Sequence, residues 1–339
     1  MDVLVIGGTG LISTGIVRQL VAAGHGVTAY HRGETTTPLP DSVEHVYGDR
    51  TDYDVFETRM ADIEVDCVID MVCFRPADAR SAIRAFEGRI EQFVLCSTES
   101  VHRRPFRSMP VTEDAPRRPP TTEYGADKAR CEDLLGEAYE DGAFEATILR
   151  PWQTYGEGGS LLHTFGDGTY YIDRIRRGKP IVVHGDGSGV WGPCHRDDVA
   201  RAFVNAVGNE QAFGEAYLVT SDDNMSWRRY HRRIADALDA PDPELVTIPT
   251  EVLRAVAPDR TDHLEDFLQY SAVFDNSKAR RDLDFEYTID WETGVRRTVD
   301  WLEERDRIRD SDEVEFDDRL IARWRDARDD FVASFEKGG

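Results

Sequence analysis

Lysine is almost missing from this chain: of 41 basic residues only Lys128, Lys179, Lys278 and Lys337 are lysines. Cysteine is also scarce. Cys67, Cys73, Cys96, Cys131 and Cys194 are odd in number, widely spaced and mostly set in apolar runs. That pattern reads as reduced thiols in a cytoplasm, excludes a disulfide framework and offers no metal-ligand spacing. No apolar run approaches the roughly 18–20 residues of a membrane span, so no membrane partner is expected. A strand-like run starts at Asp2, which leaves no room for a signal peptide and fits a cytoplasmic location. Disorder is excluded too, because 40% of the residues are hydrophobic and 10% aromatic. The 339 residues suffice for one large domain or two.

Acid dominates the charge. Asp and Glu number 65, the net charge is −24, and the carboxylates are spread along the whole chain. An acidic, lysine-poor surface of this kind resembles proteins of salt-accumulating halophiles, in which concentrated salt screens self-repulsion. The same charge makes nucleic acid a poor partner.

Short apolar runs alternate with helical patterns through the first 150 residues. Strands are expected at 3–6, 27–30, 44–47, 67–70, 93–96 and 146–149, with helical patterns between them, for example at 11–23, 77–86 and 124–139. Strands separated by helices imply βαβ units, and so an α/β fold with a parallel, doubly wound sheet. In the second half, 196–207 and 227–238 read as helices, and 181–183 and 216–219 as strands. A last polar helix at 316–335 carries Leu320, Ile321, Trp324 and Phe331 on one face.

The opening run Val3-Leu4-Val5-Ile6-Gly7-Gly8-Thr9-Gly10-Leu11-Ile12-Ser13 passes from strand to glycine loop to helix. Gly7 permits the tight turn, and Gly10 lets backbone N–H groups approach a pyrophosphate at the helix N-terminus. Ser13 stands where a third glycine is usual. After the second strand comes Tyr30-His31-Arg32-Gly33, with no carboxylate for a ribose 2′-hydroxyl. Arg32 either pairs with a 2′-phosphate, which favours NADP over NAD, or stacks on adenine. Asp49, after the third strand, is placed to contact the adenine amino group or to serve as a turn residue.

Tyr124-Gly125-Ala126-Asp127-Lys128 sets a phenol and an ammonium one helical turn apart. A free phenol, with a pKa near 10, is too weak an acid to act as a base at neutral pH, and a neighbouring ammonium lowers that value. Cys96-Ser97-Thr98-Glu99-Ser100 ends the fifth strand, where open α/β sheets bind ligands. Thr98 is the favoured partner for a substrate oxygen, with Ser97 and Ser100 as alternatives. Glu99 reads either as an extra acid or base or as an exposed loop carboxylate. His195 reads as a structural hydrogen-bonder, and no histidine has a metal-site partner.

These motifs, together with Arg150-Pro151, His195-Arg196-Asp197-Asp198 and Asp275-Asn276-Ser277-Lys278, resemble the extended short-chain dehydrogenase/reductases of the NAD-dependent epimerase/dehydratase family. The likeness spans roughly residues 1–305. It implies a Rossmann domain over 1–150, with 195–220 returning to it, a smaller substrate-binding domain over 151–305, and a helical extension over 306–339. It implies Thr98, Tyr124 and Lys128 as catalytic residues. It implies cofactor contacts from Gly7, Thr9, Gly10, Leu11, Ile12, Arg32, Asp49, Arg50, Met71, Tyr124, Lys128 and Pro151. Glu99, Gln153 and Trp191 are the substrate candidates.

Two departures bear on substrate. Gln153 replaces the asparagine common in nucleotide-sugar members. Trp191 stands near the position of the arginine that grips a diphosphate, so either the substrate lacks a diphosphate or Arg176, Arg177 or Arg260 takes over. The expected activity is hydride transfer between NAD or NADP and a sugar, foremost a nucleotide sugar, as epimerase, dehydratase or dehydrogenase. The rivals are an NADPH-dependent reductase of a non-sugar carbonyl and a non-catalytic RNA binder of the chloroplast stem-loop binding type. A homodimer is compatible with all of these.

Overall fold

A computed structural model describes residues 1–35, 37–118 and 121–336. The strands are β1 (Asp2–Ile6), β2 (Gly26–His31), β3 (Glu44–Tyr47), β4 (Cys67–Asp70), β5 (Gln92–Cys96), β6 (Glu145–Pro151), β7 (Thr154–Tyr155), β8 (Ile181–His184), β9 (Val190–Trp191), β10 (Cys194–His195), β11 (Glu215–Val219), β12 (Met225–Ser226) and β13 (Leu245–Ile248). The helices are α1 (Leu11–Ala22), α2 (Tyr53–Ala61), α3 (Pro76–Phe86), α4 (Glu123–Glu140), α5 (Tyr170–Arg176), α6 (Arg196–Ala206), α7 (Trp227–Ala237), α8 (Thr250–Val256), α9 (Ser277–Leu283), α10 (Trp291–Glu303) and α11 (Glu315–Glu336).

The chain forms two compact units. The first contains a seven-stranded sheet in the order β11-β6-β5-β4-β1-β2-β3, with every pairing parallel. The α/β, Rossmann-type sheet expected from the sequence is therefore present. Alternation along β1 explains its two covered faces. Val3 and Val5 join one core cluster with Ile16, Leu20 and Phe203, whereas Leu4 and Ile6 join another with Phe56, Phe86 and Leu135. A parallel strand covered on both sides reads as a continuous apolar run for this reason.

Two later stretches return to this unit. Gly192–Asp223 supplies α6 and the edge strand β11, and Ala272–Ile289 supplies α9, which packs on both. Lys278 fastens α9 to β11 through Glu215, at 2.5 Å. Helix α2 is largely polar and buries only Phe56 and Met60, one turn apart.

The second unit comprises Gly156–Trp191, Asn224–Ser271 and Asp290 onward. Its core is aromatic: Trp227 lies 4.9 Å from Trp191 and 5.0 Å from Tyr230, whose ring stands 4.7 Å from Trp291. Strands β8 and β13 pair in parallel, and β9 and β12 pair antiparallel. Among the described residues no helix is long and apolar enough to cross a membrane.

Candidate functional site

The loop after β1 turns sharply at Gly7, whose φ of +81° is a left-handed value that glycine adopts without strain. Ser13 does more than fit where glycine is usual. Its hydroxyl donates to the Gly7 carbonyl at 2.6 Å and accepts from the Gly10 N–H at 2.8 Å, locking the loop onto the first turn of α1. The Gly10 donor is thus used internally, and the N–H groups of the following turn, which have no intrahelical partner, are left for an anion.

A cavity of about 480 Å³ opens at the carboxyl ends of β1 to β4. Gly7, Thr9, Gly10, Arg32, Asp49 and Arg50 all line it. The Thr9 hydroxyl meets that of Thr35 at 2.7 Å. Asp49 accepts from the N–H and hydroxyl of Thr51, at 2.8 and 2.7 Å, and these bonds lower its pKa. The sequence offers no carboxylate in the four residues 30–33 at the end of β2, but Glu34 follows them: it lines the cavity and pairs with Arg32 at 2.9 Å. The chain bends at Gly33, with φ +78°, and Glu34 pairs with Arg32 across that bend.

The catalytic candidates lie in the same unit. Thr122 caps α4 by accepting from the Gly125 N–H at 3.0 Å. Tyr124, in the first turn, is 44% exposed. The Thr98 oxygen accepts from the Ser100 N–H at 3.1 Å, and its hydroxyl bonds the Tyr124 phenol. One turn along, buried Lys128 donates to the Cys96 carbonyl at 2.6 Å. Desolvation of the phenol end raises the Tyr124 pKa, and the Lys128 charge only partly opposes it. Burial pulls the Lys128 pKa down, but Cys96, Tyr124, Cys73 and Asp70 outweigh this and hold it above the ordinary value, so the ammonium persists. Phe74 links this cluster to the cavity: it lines the cavity, and the Lys128 ammonium lies 4.9 Å from its ring centre.

The model of the NAD-dependent epimerase/dehydratase family matches residues 3–219, more than half of the chain. The chain belongs to this family. It is 33% identical to 2′-dehydrokanamycin reductase from Streptomyces kanamyceticus over 252 residues, covering 74% of this chain and 70% of that protein. It is 28% identical to the 41 kDa chloroplast stem-loop binding protein b of Arabidopsis thaliana, covering 72% of this chain and 65% of that one. Among solved structures, UDP-glucuronic acid 4-epimerase from Bacillus cereus with NAD shares the fold. Its TM-score is 0.71 at 18% identity, covering 90% of this chain and 99% of that one.

An NAD-dependent enzyme of this family needs a dinucleotide pocket, and the residues present fit one. The Tyr30 hydroxyl and Arg50 Nη1 are buried, have no hydrogen-bond partner among the described residues, and belong to side chains lining the cavity. Such unmet polar groups suit a polar ligand. The rest of Arg50 is structural: Nη2 donates to Asp70 at 3.3 Å and to the Asp78 carbonyl at 2.6 Å, and the guanidinium lies over Phe56.

Other candidates lie elsewhere. Leu11, Ile12, Met71 and Pro151 do not line the cavity; Ile12 and Met71 pack against the core, and Pro151 is buried at the end of β6. Gln153 is half-buried, and its carbonyl accepts from the Cys194 N–H at 2.9 Å. Glu99 is no exposed loop carboxylate. It is 1% exposed, ion-paired with Arg104, and accepts from the Ser100 hydroxyl at 2.8 Å. Ser97 is likewise occupied, donating to buried Glu132 at 2.5 Å. Glu132 also takes two bonds from Arg150 and one from Arg117.

Trp191 is 1% exposed within the aromatic core of the second unit, so it presents almost no surface to a substrate. The arginines considered in its place are engaged as well. Arg176 pairs with Glu303, Arg177 with Asp173, Asp310 and Asp312, and Arg260 lies over Phe316. His195 is fully buried and caps α6 by accepting from the Asp197 N–H at 3.2 Å.

Proposed function

We propose that this chain transfers hydride between a nicotinamide dinucleotide and a hydroxyl-bearing ring carbon of a sugar, with Tyr124 as acid and base. The observation that carries this reading is the Thr98–Tyr124 hydrogen bond at the end of β5, with the charge of Lys128, held on the Cys96 carbonyl, acting on the phenol, in the same unit as the dinucleotide cavity. The dinucleotide, when bound, donates or accepts the hydride. In the reducing direction the Thr98 hydroxyl holds the carbonyl oxygen, and Tyr124 gives it the phenolic proton as the carbon gains hydride. In the oxidising direction the alcohol proton passes to Tyr124, the C–H bond breaks, and a ring ketone remains. Lys128 stabilises the phenolate in both.

Nucleotide sugars are the first substrate class to test; the relatives include a protein named UDP-glucose 4-epimerase from Mycolicibacterium smegmatis, 26% identical over 89% of this chain. A second reading, reduction of a carbonyl on a substrate without a diphosphate, is favoured by the engagement of Arg176, Arg177 and Arg260. The name of the kanamycin-related reductase supports it too. RNA binding is disfavoured by the net charge of −24. Arg32 favours NADP and the adjoining Glu34 opposes it, so this exposed pair sets the cofactor preference. We further read the acidic surface as an adaptation to concentrated salt.

Native mass spectrometry in high salt, followed by NAD(P)H absorbance assays, tests the reading. Retained NAD(H) with interconversion of nucleotide sugars supports an epimerase. Exchangeable cofactor oxidised by a keto sugar lacking phosphate supports the second reading. No dinucleotide binding at all would overturn both.

A further inference from the structure

Helix α11 carries an apolar stripe that hydride transfer leaves unexplained. Phe316, Leu320, Trp324, Ala327, Phe331 and Phe335 follow one another at steps of three or four, the spacing of a single helical face. The first half of the stripe is seated. Leu320 is buried, and the stripe joins Val252 and Val256 of α8 in lining a groove of about 370 Å³ that Arg319 and Arg323 also border. The second half covers nothing among the described residues. Phe331 is 66% exposed and Phe335 70%, with the two rings 5.0 Å apart. One helix thus offers an apolar groove and, beyond it, a bare aromatic pair of the sort that fills a groove.

We propose that the Phe331–Phe335 end of α11 from a second copy of this chain fills the groove. The two α11 helices then pair antiparallel about a twofold axis near Ala327. A chain's own aromatic pair cannot do this, since Phe331 stands seven residues, roughly 10 Å, beyond Trp324 on the same helix. Antiparallel pairing about Ala327 sets Phe331 level with Arg323 and Trp324, and Phe335 level with Arg319 and Leu320. The small side chain at the axis permits close approach.

Charge selects the same register. Arg323 and Asp330 make no ion pair among the described residues. They sit seven residues apart on one flank of the stripe, so the twofold axis brings each Arg323 beside the other copy's Asp330. Two pairs form at once, as a self-complementary interface requires. On a chain of net charge −24, a second copy is repelled almost everywhere else, which favours a site bordered by unpaired arginines. A contact a few turns long lies near the low end of stable interfaces, roughly 1,200 Å² in total. The dimer should therefore dissociate on dilution and tighten in salting-out salt.

Sedimentation velocity of the full chain in high salt, across a dilution series, tests this. The wild type is expected to shift from dimer to monomer on dilution. The exposed double variant Phe331→Asp/Phe335→Asp is expected to stay monomeric at every concentration, with unchanged activity and with the melting temperature of the diluted, monomeric wild type. Arg323→Asp should be monomeric, and Arg323→Asp/Asp330→Arg should recover the dimer. Ala327→Cys should give a covalent dimer with an added thiol oxidant, which takes up the two hydrogens as the S–S bond forms; the five native cysteines are buried and provide little background. A wild type that remains monomeric throughout overturns the proposal, whatever else binds the groove. So does a dimer that survives Phe331→Asp/Phe335→Asp, or an Ala327→Cys variant that fails to cross-link.

Discussion

The backbone of Gly125 passes so close to Ser100 that a Cβ there would lie 2.2 Å from the Ser100 carbonyl oxygen. This approach seats the first turn of α4 against the segment after β5, and so brings Tyr124 to Thr98. Alanine at 125 must push the helix away, because the obstruction is backbone. A shift of about 1 Å at a reacting group can cost 100-fold in rate, so Gly125→Ala is expected to lower kcat by about that factor. Dinucleotide affinity should hardly change. Wild-type kcat in this variant would show that the contact does not position Tyr124.

How far the sequence could be read follows from the range of each signal. The glycine loop, the alternation of strand and helix, and the Tyr124–Lys128 spacing are local patterns within one or two turns of chain. Gly125 sits inside the catalytic motif, yet its role depends on Ser100, 25 residues earlier, and no local pattern records that. Glu99 and Arg104 are five residues apart, but only the folded loop shows that they neutralise each other in the interior. Trp191 is placed by Trp227 and β12, which come more than 30 residues later. Glu34 lies just past the Gly33 bend, beyond the strand-end pattern that places Arg32.

Tyr124→Phe is expected to bind cofactor normally and lose 100-fold to 10,000-fold in turnover, the usual worth of a positioned proton donor. The wild-type pH profile follows from the raised phenol pKa. The donor stays protonated through neutral and mildly alkaline pH, so reduction should hold its rate and decline only above pH 10.0, the ordinary tyrosine value. Oxidation, which uses the deprotonated form, should gain rate as pH rises toward that value. A reducing activity that falls between pH 7 and 9 would assign the proton to another group.

The Arg32–Glu34 pair gives opposite expectations for its two members. Arg32→Asp replaces attraction to a 2′-phosphate by repulsion, and NADP affinity should drop by about tenfold or more while NAD changes little. Glu34→Gln releases Arg32 and should move the preference toward NADP. Titration of each variant with both dinucleotides, followed by protein fluorescence, reads the ratio. Equal changes for both cofactors would remove the pair from selectivity.

Salt should stabilise this protein. The Debye length is about 10 Å at 0.1 M and about 3 Å at 1 M, so repulsion among 65 carboxylates fades over that range. The melting temperature is expected to rise markedly from about 0.1 M to 2 M salt, through screening and, with salting-out anions, stronger apolar burial. The ionic part of NADP binding at Arg32 should weaken over the same interval. A flat melting temperature would mean that the acidity is not an adaptation to brine.

The first unit draws on three separated stretches of chain, and the last of them, Ala272–Ile289, comes after two stretches of the second unit. On the ribosome, β1 to β6 therefore emerge without their edge strand: β11 follows only after Gly156–Trp191 of the second unit, and α9, which packs on it, only after Asn224–Ser271 as well. A truncation near residue 150 should consequently yield an aggregating fragment with an unprotected β6, not a free-standing nucleotide-binding domain. High contact order of this kind also slows refolding, so recovery from denaturant is expected to be limited by late docking of the two returning segments.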